Sequence, residues 1–248
     1  MAVSPKLSAR RAPRKSAGRG PSGRTAPPRR PTPATFDRVL AAMRRSVRSG
    51  ALPSVSEIAR RDRDPFRILI ATILSLRTKD EVTDAASARL FALAPSAREL
   101  AGIDPRTIAR TIYPVGFYRT KARTVRDIAR RIDGELGGRV PDSIDALLDF
   151  KGVGRKTAAL VVSLGYGIDA ICVDTHVHRI SNRLGWIATR TPADSERVLM
   201  MILPRRHWIG VNETMVSFGQ RVCTPLSPHC STCPVLATCA RVGVERHR

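Results

Sequence analysis

The chain has 248 residues, 42% of them apolar, and carries 43 Lys and Arg against 21 Asp and Glu, a formal net charge of +22. That length supports one large or two small domains, each with its own core. The positive excess makes a polyanion the expected partner, nucleic acid ahead of an acidic membrane. Codon bias toward Arg accounts for part of the basic count but leaves the shortage of acids unexplained. No run is long and apolar enough to span a bilayer, since Thr157 to Val173 is interrupted by Gly165, Gly167 and Asp169. Residues 1–35 also lack the apolar stretch of a secretory signal.

Residues 1–35 form their own compositional zone, rich in Pro, Gly, Ser, Arg and Lys and free of acids. Such a segment buries too little apolar surface to offset its ordering entropy, so a disordered basic tail is expected. It would add sequence-independent phosphate contacts, and an organellar transit peptide stays open as an alternative.

From Phe36 onward the pattern is helical, with no alternating strand signal. Asp64-Pro65 supplies an N-cap and a first-turn proline, followed by Phe66, Leu69, Ile70, Ile73 and Leu74 at helical spacing. A second helix is predicted from Lys79 to Leu93 with Val82, Ala86 and Leu90 inward, and Asp104-Pro105 opens a short third. Val125, Ile128, Ala129 and Ile132 mark a longer one ending near Gly134. Pro141-Asp142 starts a helix through Leu147 and Leu148 that stops at Gly152-Val153-Gly154, and the next runs from that turn to Gly165. Asp174 caps a helix carrying Val177, Ile180 and Leu184. Thr191-Pro192 opens one ending at Pro204, and the last spans Trp208 to Val222. The fold class expected is all-α.

Phe150-Lys151-Gly152-Val153-Gly154-Arg155-Lys156-Thr157-Ala158 reads as helix, tight glycine turn, helix. The glycines allow positive φ and a close backbone approach, and the N–H groups opening the second helix face outward toward an anion. A DNA phosphate suits that place, positioning a duplex without reading its sequence. Lys156 lies in the first turn after the hairpin, where a phosphate contact or a nucleophilic amine would each explain a lysine. Asp174 is explained by capping alone, or by stabilising positive charge that develops on a substrate. His176 and His178, two apart on a helix, splay and do not form a metal pair.

Four cysteines, Cys223, Cys230, Cys233 and Cys239, are separated by six, two and five residues. So many thiolates in a short span can converge on one metal centre. Zinc competes for any such set, although zinc ribbons usually present two close Cys-x-x-Cys pairs and this segment has one. Cys172 falls outside the pattern and reads as a small buried hydrophobe.

Leu74-Ser75, Thr78-Lys79-Asp80, Gly152 through Ala158, Val173-Asp174-Thr175-His176 and the terminal cysteines together resemble the endonuclease III family of helix-hairpin-helix DNA glycosylases. The match runs in order from Phe36 to Cys239. It implies two helical domains with a DNA-binding cleft between them: a six-helix unit at 58–168, and a discontinuous unit of 36–57 plus 169–248 with an iron–sulfur loop. It implies a bifunctional glycosylase and apurinic/apyrimidinic lyase of base excision repair, acting on oxidised or damaged pyrimidines and on abasic sites in duplex DNA. Lys156 would attack the deoxyribose of a flipped nucleotide with Asp174 as its carboxylate partner. Lys151, Gly152, Val153, Gly154, Arg155 and His176 would contact DNA. Cys223, Cys230, Cys233 and Cys239 would hold a [4Fe–4S] cluster of structural role. The expected state is a soluble intracellular monomer, cytoplasmic and nucleoid-associated in a bacterium, with nucleus or mitochondrion open otherwise.

Three positions depart from the family pattern. Arg77 stands where glutamine is common, Phe117 where leucine commonly acts as a wedge, and Lys151 replaces the usual hairpin proline. Phe stacks well and Arg pairs with a phosphate or an orphaned base, so the first two changes bear on lesion and opposite-base preference and not on the chemistry, while Lys151 is tolerated and adds a phosphate contact. Two rival readings stay open. A monofunctional mismatch or adenine glycosylase would lack the lysine, and its adenine-specific branch would need a further C-terminal domain for which little chain remains after Cys239. A non-enzymatic DNA-binding module would use the hairpin and metal loop for docking alone.

Overall fold

A computed structural model describes residues 31–50 and 52–248. Among them the regular structure is helical throughout, as the sequence pattern indicates. The helices are α1 Pro33–Val47, α2 Ser54–Arg61, α3 Pro65–Ser75, α4 Asp80–Leu93, α5 Ala97–Gly102, α6 Pro105–Ile112, α7 Tyr118–Glu135, α8 Ile144–Leu148, α9 Arg155–Leu160, α10 Thr175–Arg183, α11 Pro192–Ile202 and α12 Trp208–Arg221. A π-helical turn, Val161–Gly165, extends α9. No helix among the described residues is long and apolar enough to cross a membrane.

Two buried clusters organise these helices. The first gathers residues from Val55 to Cys172 and centres on α3. Asp64 opens α3 by accepting from the Phe66 N–H at 2.8 Å. From Ile68 to Leu74 every residue of α3 is then buried. A helix apolar on all sides belongs inside a bundle, and α2, α4, α7 and α9 surround it. Ile68, Leu69 and Ile70 are wholly buried, each side chain contributing about 1.5–3 kcal/mol by leaving water. The second cluster joins the two ends of the chain. Phe36, Val39, Leu40 and Met43 of α1 pack with Val177 and Ile180 of α10, with Trp186, and with Val211, Met215 and Phe218 of α12. Phe36 meets Trp186 edge-on at 4.6 Å.

The segment between the clusters alternates. Ala170 and Cys172 enter the first core, while Ile171 and Val173 enter the second. Successive side chains on opposite sides are the habit of extended chain, so one short segment fastens both cores together and delivers Asp174 at their junction.

Some boundaries differ from the expected ones. Helix α1 opens at Pro33, inside the segment read as tail, because Thr32 accepts from the Thr35 N–H at 3.3 Å and Pro33 suits a first turn. The rest of that tail, residues 1–30, lies outside the described residues. Helix α8 starts at Ile144, after Pro141-Asp142, because Ser143 is the residue that caps it, accepting from the Ala146 N–H at 3.3 Å. Val55 belongs to the first cluster, although a boundary at residue 57 puts it with the second.

Candidate active site

The glycine turn is built as its composition requires. Gly152 has φ +89°, and a Cβ there would lie 2.9 Å from the Thr124 side chain of α7, so geometry and space both demand glycine. Phe150 and Val153 are buried in the first core. Val153 therefore anchors the turn, and its side chain does not face outward as a DNA contact would. Lys151, Gly152, Gly154 and Arg155 are exposed. Gly154 opens α9 without a side-chain cap, which leaves first-turn N–H groups for an external acceptor.

Lys156 projects from the first turn of α9 with 41% of its side chain exposed, and its Nζ stands 3.8 Å from Asp174 Oδ2. The Asp174 side chain is only 8% exposed. Its Oδ1 accepts from the N–H groups of His176 and Val177 at 2.8 and 2.9 Å. One oxygen is thus committed to capping α10 while the other faces the amine. The cap and the contact coexist: the residue that caps α10 also presents a carboxylate oxygen to Lys156.

Arg155 is engaged elsewhere. Its Nε donates to Glu196 on α11 at 2.6 Å, a bridge from the first core's helices to the second's. Forty-one positions separate that pair, so no local sequence signal announces it. His176 lies against Gly219, where a Cβ would come within 2.4 Å of His176 Nδ1, and that nitrogen is 3.2 Å from Arg179 Nη2. Burial lowers the His176 pKa, with Arg179 and Lys156 adding to the effect and Asp174 and Asp80 opposing it. His178 turns the other way, 2.6 Å from Ser195 Oγ, so the two histidines diverge.

Arg77 and Phe117 come from different loops and meet. Both have left-handed backbones, φ +53° and +58°, and the Arg77 guanidinium stands 5.7 Å from the centre of the Phe117 ring. Phe117 is 63% exposed. Asp80, three residues past Arg77, accepts from Gln220 of α12 at 3.1 Å, and its charge reaches His176. The Arg77 loop therefore borders the end of α10 that Asp174 caps.

Cys223, Cys230, Cys233 and Cys239 line one cavity together with Met43, Ile180, Arg183, Leu184, Phe218 and Val235, and none forms a disulfide. Burial pushes up the pKa of the Cys233 and Cys239 thiols, and the charges of the other thiolates add to it. Four sulfurs so crowded become thiolates together only against a compensating positive centre. Among the described residues no three His, Cys, Asp or Glu are gathered tightly enough to clasp a single ion; the sulfurs surround a space. Cys172 is buried in the first core, and burial pushes its thiol pKa up.

Two arginines that the motifs did not single out tie this loop to the site. Arg179 donates to the carbonyls of Gly219 and Cys223 at 3.2 and 2.9 Å. Arg183 donates to Thr224 O at 2.7 Å and to Cys223 Sγ at 3.4 Å. Their spacing of four on α10 is the signal that could have found them, because it places both on one face. The helix that begins at Asp174 is thereby anchored to the cysteine loop.

Known proteins resemble this chain in sequence and in fold. The family model described as HhH-GPD superfamily base excision DNA repair protein matches residues 70–205. Endonuclease III of Thermotoga maritima is 48% identical over 173 residues, 70% of this chain and 81% of that protein. Endonuclease III homolog 2, chloroplastic, of Arabidopsis thaliana is 43% identical over 185 residues, 70% of this chain but 47% of that longer protein. Among solved structures, a trapped endonuclease III–DNA covalent intermediate superposes with a TM-score of 0.75 at 32% identity, covering 85% of this chain and 97% of that one. The chain belongs to the endonuclease III family of the HhH-GPD superfamily of base excision DNA repair proteins.

Proposed function

We infer that this chain is a base-excision DNA glycosylase that also cuts the strand, acting on oxidised or otherwise damaged pyrimidines and on abasic sites in duplex DNA. The observation that carries the reading is the exposed Lys156 amine held 3.8 Å from a carboxylate whose other oxygen is locked in a helix cap. An uncharged amine is the form that attacks. Lys156 Nζ bonds to C1′ of the everted nucleotide, the C1′–base bond breaks, and the base leaves with its electron pair and takes up a proton. Once the nitrogen has lost a proton, the C1′–O4′ bond breaks, O4′ takes up a proton, and the opened sugar is left with an iminium between Nζ and C1′. Loss of a C2′ proton then expels the 3′ phosphate by β-elimination, and water releases the lysine. Asp174 stabilises the positive charge that develops on the sugar and is placed to take a proton from the amine.

The two cores correspond in this reading to two domains, with the duplex in the groove between them. The exposed backbone of the glycine turn and Lys151 would hold phosphates. Phe117 and Arg77 would fill the gap left by the everted nucleotide, offsetting an extrusion cost of roughly a few kcal/mol. Cys223, Cys230, Cys233 and Cys239 fit a four-thiolate group and would hold a [4Fe–4S] cluster. When bound, that cluster supplies the positive iron that keeps four crowded thiolates together in the loop that Arg179 and Arg183 hold.

Borohydride added during reaction with an abasic-site duplex should trap a covalent protein–DNA adduct, and Lys156→Ala should lose it. An adduct that persists in this variant removes Lys156 from the central role. Base release without any adduct in the wild type would favour a monofunctional glycosylase, and binding without turnover a docking module.

A further inference from the structure

We propose that Lys121 is a positioning residue, its ammonium clamping the Arg77 loop to the Phe117 loop so that both side chains enter the duplex as one unit. The proposal rests on the glycosylase reading and adds to it a residue that never touches DNA.

Lys121 lies in the first turn of α7, its N–H bonded to Phe117 O at 3.0 Å. Its side chain turns inward, and the residue is only 7% exposed. Nζ donates to Leu74 O at 2.8 Å, Leu76 O at 2.6 Å and Thr78 Oγ1 at 3.2 Å. An ammonium has three N–H donors, and each has an acceptor here. Among the described residues no carboxylate pairs with it, and burial is the cause that shifts its pKa. A buried cation without a counter-ion is costly, so this one needs a reason beyond filling space.

Its acceptors supply the reason. Leu74 O and Leu76 O belong to the end of α3, where carbonyls lack helical partners and the helix dipole favours a cation. Thr78 lies just past Arg77, and its Oγ1 also accepts from the Gly116 N–H at 3.2 Å. The two loops touch backbone to backbone: a Cβ on Gly116 would lie 2.6 Å from Arg77 O. Lys121, Thr78 and Gly116 thus form one bonded hub, and the two residues beside it, Arg77 and Phe117, both have positive φ. Unusual backbone conformations persist where surrounding contacts over-determine them. Burial brings the Lys121 pKa down to about 8, which leaves the amine protonated at neutral pH with all three donors in use.

The test separates extrusion from chemistry. Full-length wild type and Lys121→Met are compared in single turnover on an abasic site in duplex DNA and on the same site in a single strand, where there is no stacked partner to displace. The expected result is a loss of about tenfold to a hundredfold on the duplex, with the single-strand rate within about twofold of wild type. Unchanged duplex cleavage, or equal losses on both substrates, overturns the proposal, the second outcome marking Lys121 as scaffold alone. In an Arg77→Ala, Phe117→Ala background, Lys121→Met should cost nothing more on the duplex, and an additive loss also overturns the proposal. Should Lys121→Met fail to fold, Thr78→Val removes the shared oxygen while keeping both carbonyl contacts. It should show the same duplex-selective loss, and a wild-type duplex rate would sink the clamp. If wild type itself forms no borohydride-trapped adduct on either substrate, the Schiff-base step of the proposed function fails, a result distinct from the outcomes that overturn the clamp.

Discussion

The first core draws on one continuous stretch from Val55 to Cys172, whereas the second borrows α1 from one end of the chain and α10 to α12 from the other. Around α3 the cohesion is aliphatic burial, and the helices there close over one another with none of the four clustered cysteines among them. Beyond Arg221 the second half has a single 3₁₀ turn, Leu236–Thr238, for regular structure. There the loop is held by hydrogen bonds, with Arg179 and Arg183 donating to Cys223 O and Thr224 O and backbone bonds such as His229 N–H to Val222 O and Val242 N–H to Arg183 O beside them. The difference teaches that the halves owe their order to different forces yet share one site: Lys156 comes from the first, and Asp174 caps the leading helix of the second. A reaction that needs both should therefore fail in distinguishable ways when either half is disturbed.

The largest expected effect divides the site along that line. Asn caps a helix about as well as Asp, so Asp174→Asn should leave α10 in place while removing the charge that faces Lys156. Cleavage of an abasic-site duplex should fall by about 10²–10⁴-fold, with little change in melting temperature. A near-normal rate would make the second half's contribution purely architectural.

The next pair tests whether the halves are held by different means. Leu69→Ala, in the middle of α3, should cost about 2–5 kcal/mol in denaturant unfolding and lower hydrogen-exchange protection across α3, α4 and α7. Cys233→Ser should do less to the first core and act mainly on α10, α12 and residues 222–248, with bound iron measured in parallel. Equal loss of protection in α3 and α10 from both variants would show one cooperative unit in place of two.

How much of this was legible in the sequence followed from the range of each interaction. Helix starts marked by Asp64-Pro65, Asp104-Pro105 and Thr191-Pro192 were readable because a cap and a first-turn proline act locally. The glycine turn was readable because only glycine suits its φ. Helix α2 gave little signal, since its buried face is made of Ser54, Val55, Ser56 and Ala59. Helix α5 carries a local signal of its own, the Ser96–Glu99 capping box. Arg155–Glu196 and the Lys121 hub are long-range and could not be derived locally. Yet Lys121 does sit four residues before Val125 and seven before Ile128, on the stripe that α7 buries, and a cation on an apolar stripe was a readable anomaly.

The smallest expected effect concerns acid. His176 lies inside the first turn of α10, pressed against Gly219 and facing Arg179, Lys156, Asp174 and Asp80. Burial, reinforced by the two cations, lowers its pKa from the ordinary value of 6.5. The unfolded chain therefore binds this proton more readily than the folded one, and stability falls as pH drops through and below that value. Above about pH 7.5 both states hold a neutral imidazole and the contribution vanishes. His176→Gln, uncharged at every pH, should flatten the dependence of the unfolding midpoint between pH 7.5 and 5. The effect should appear first as exchange in α10 while α3 stays protected, because the titrating group belongs to the half with less buried aliphatic surface around it. Identical slopes in wild type and variant would assign the acid response to other groups and leave the second half no more sensitive than the first.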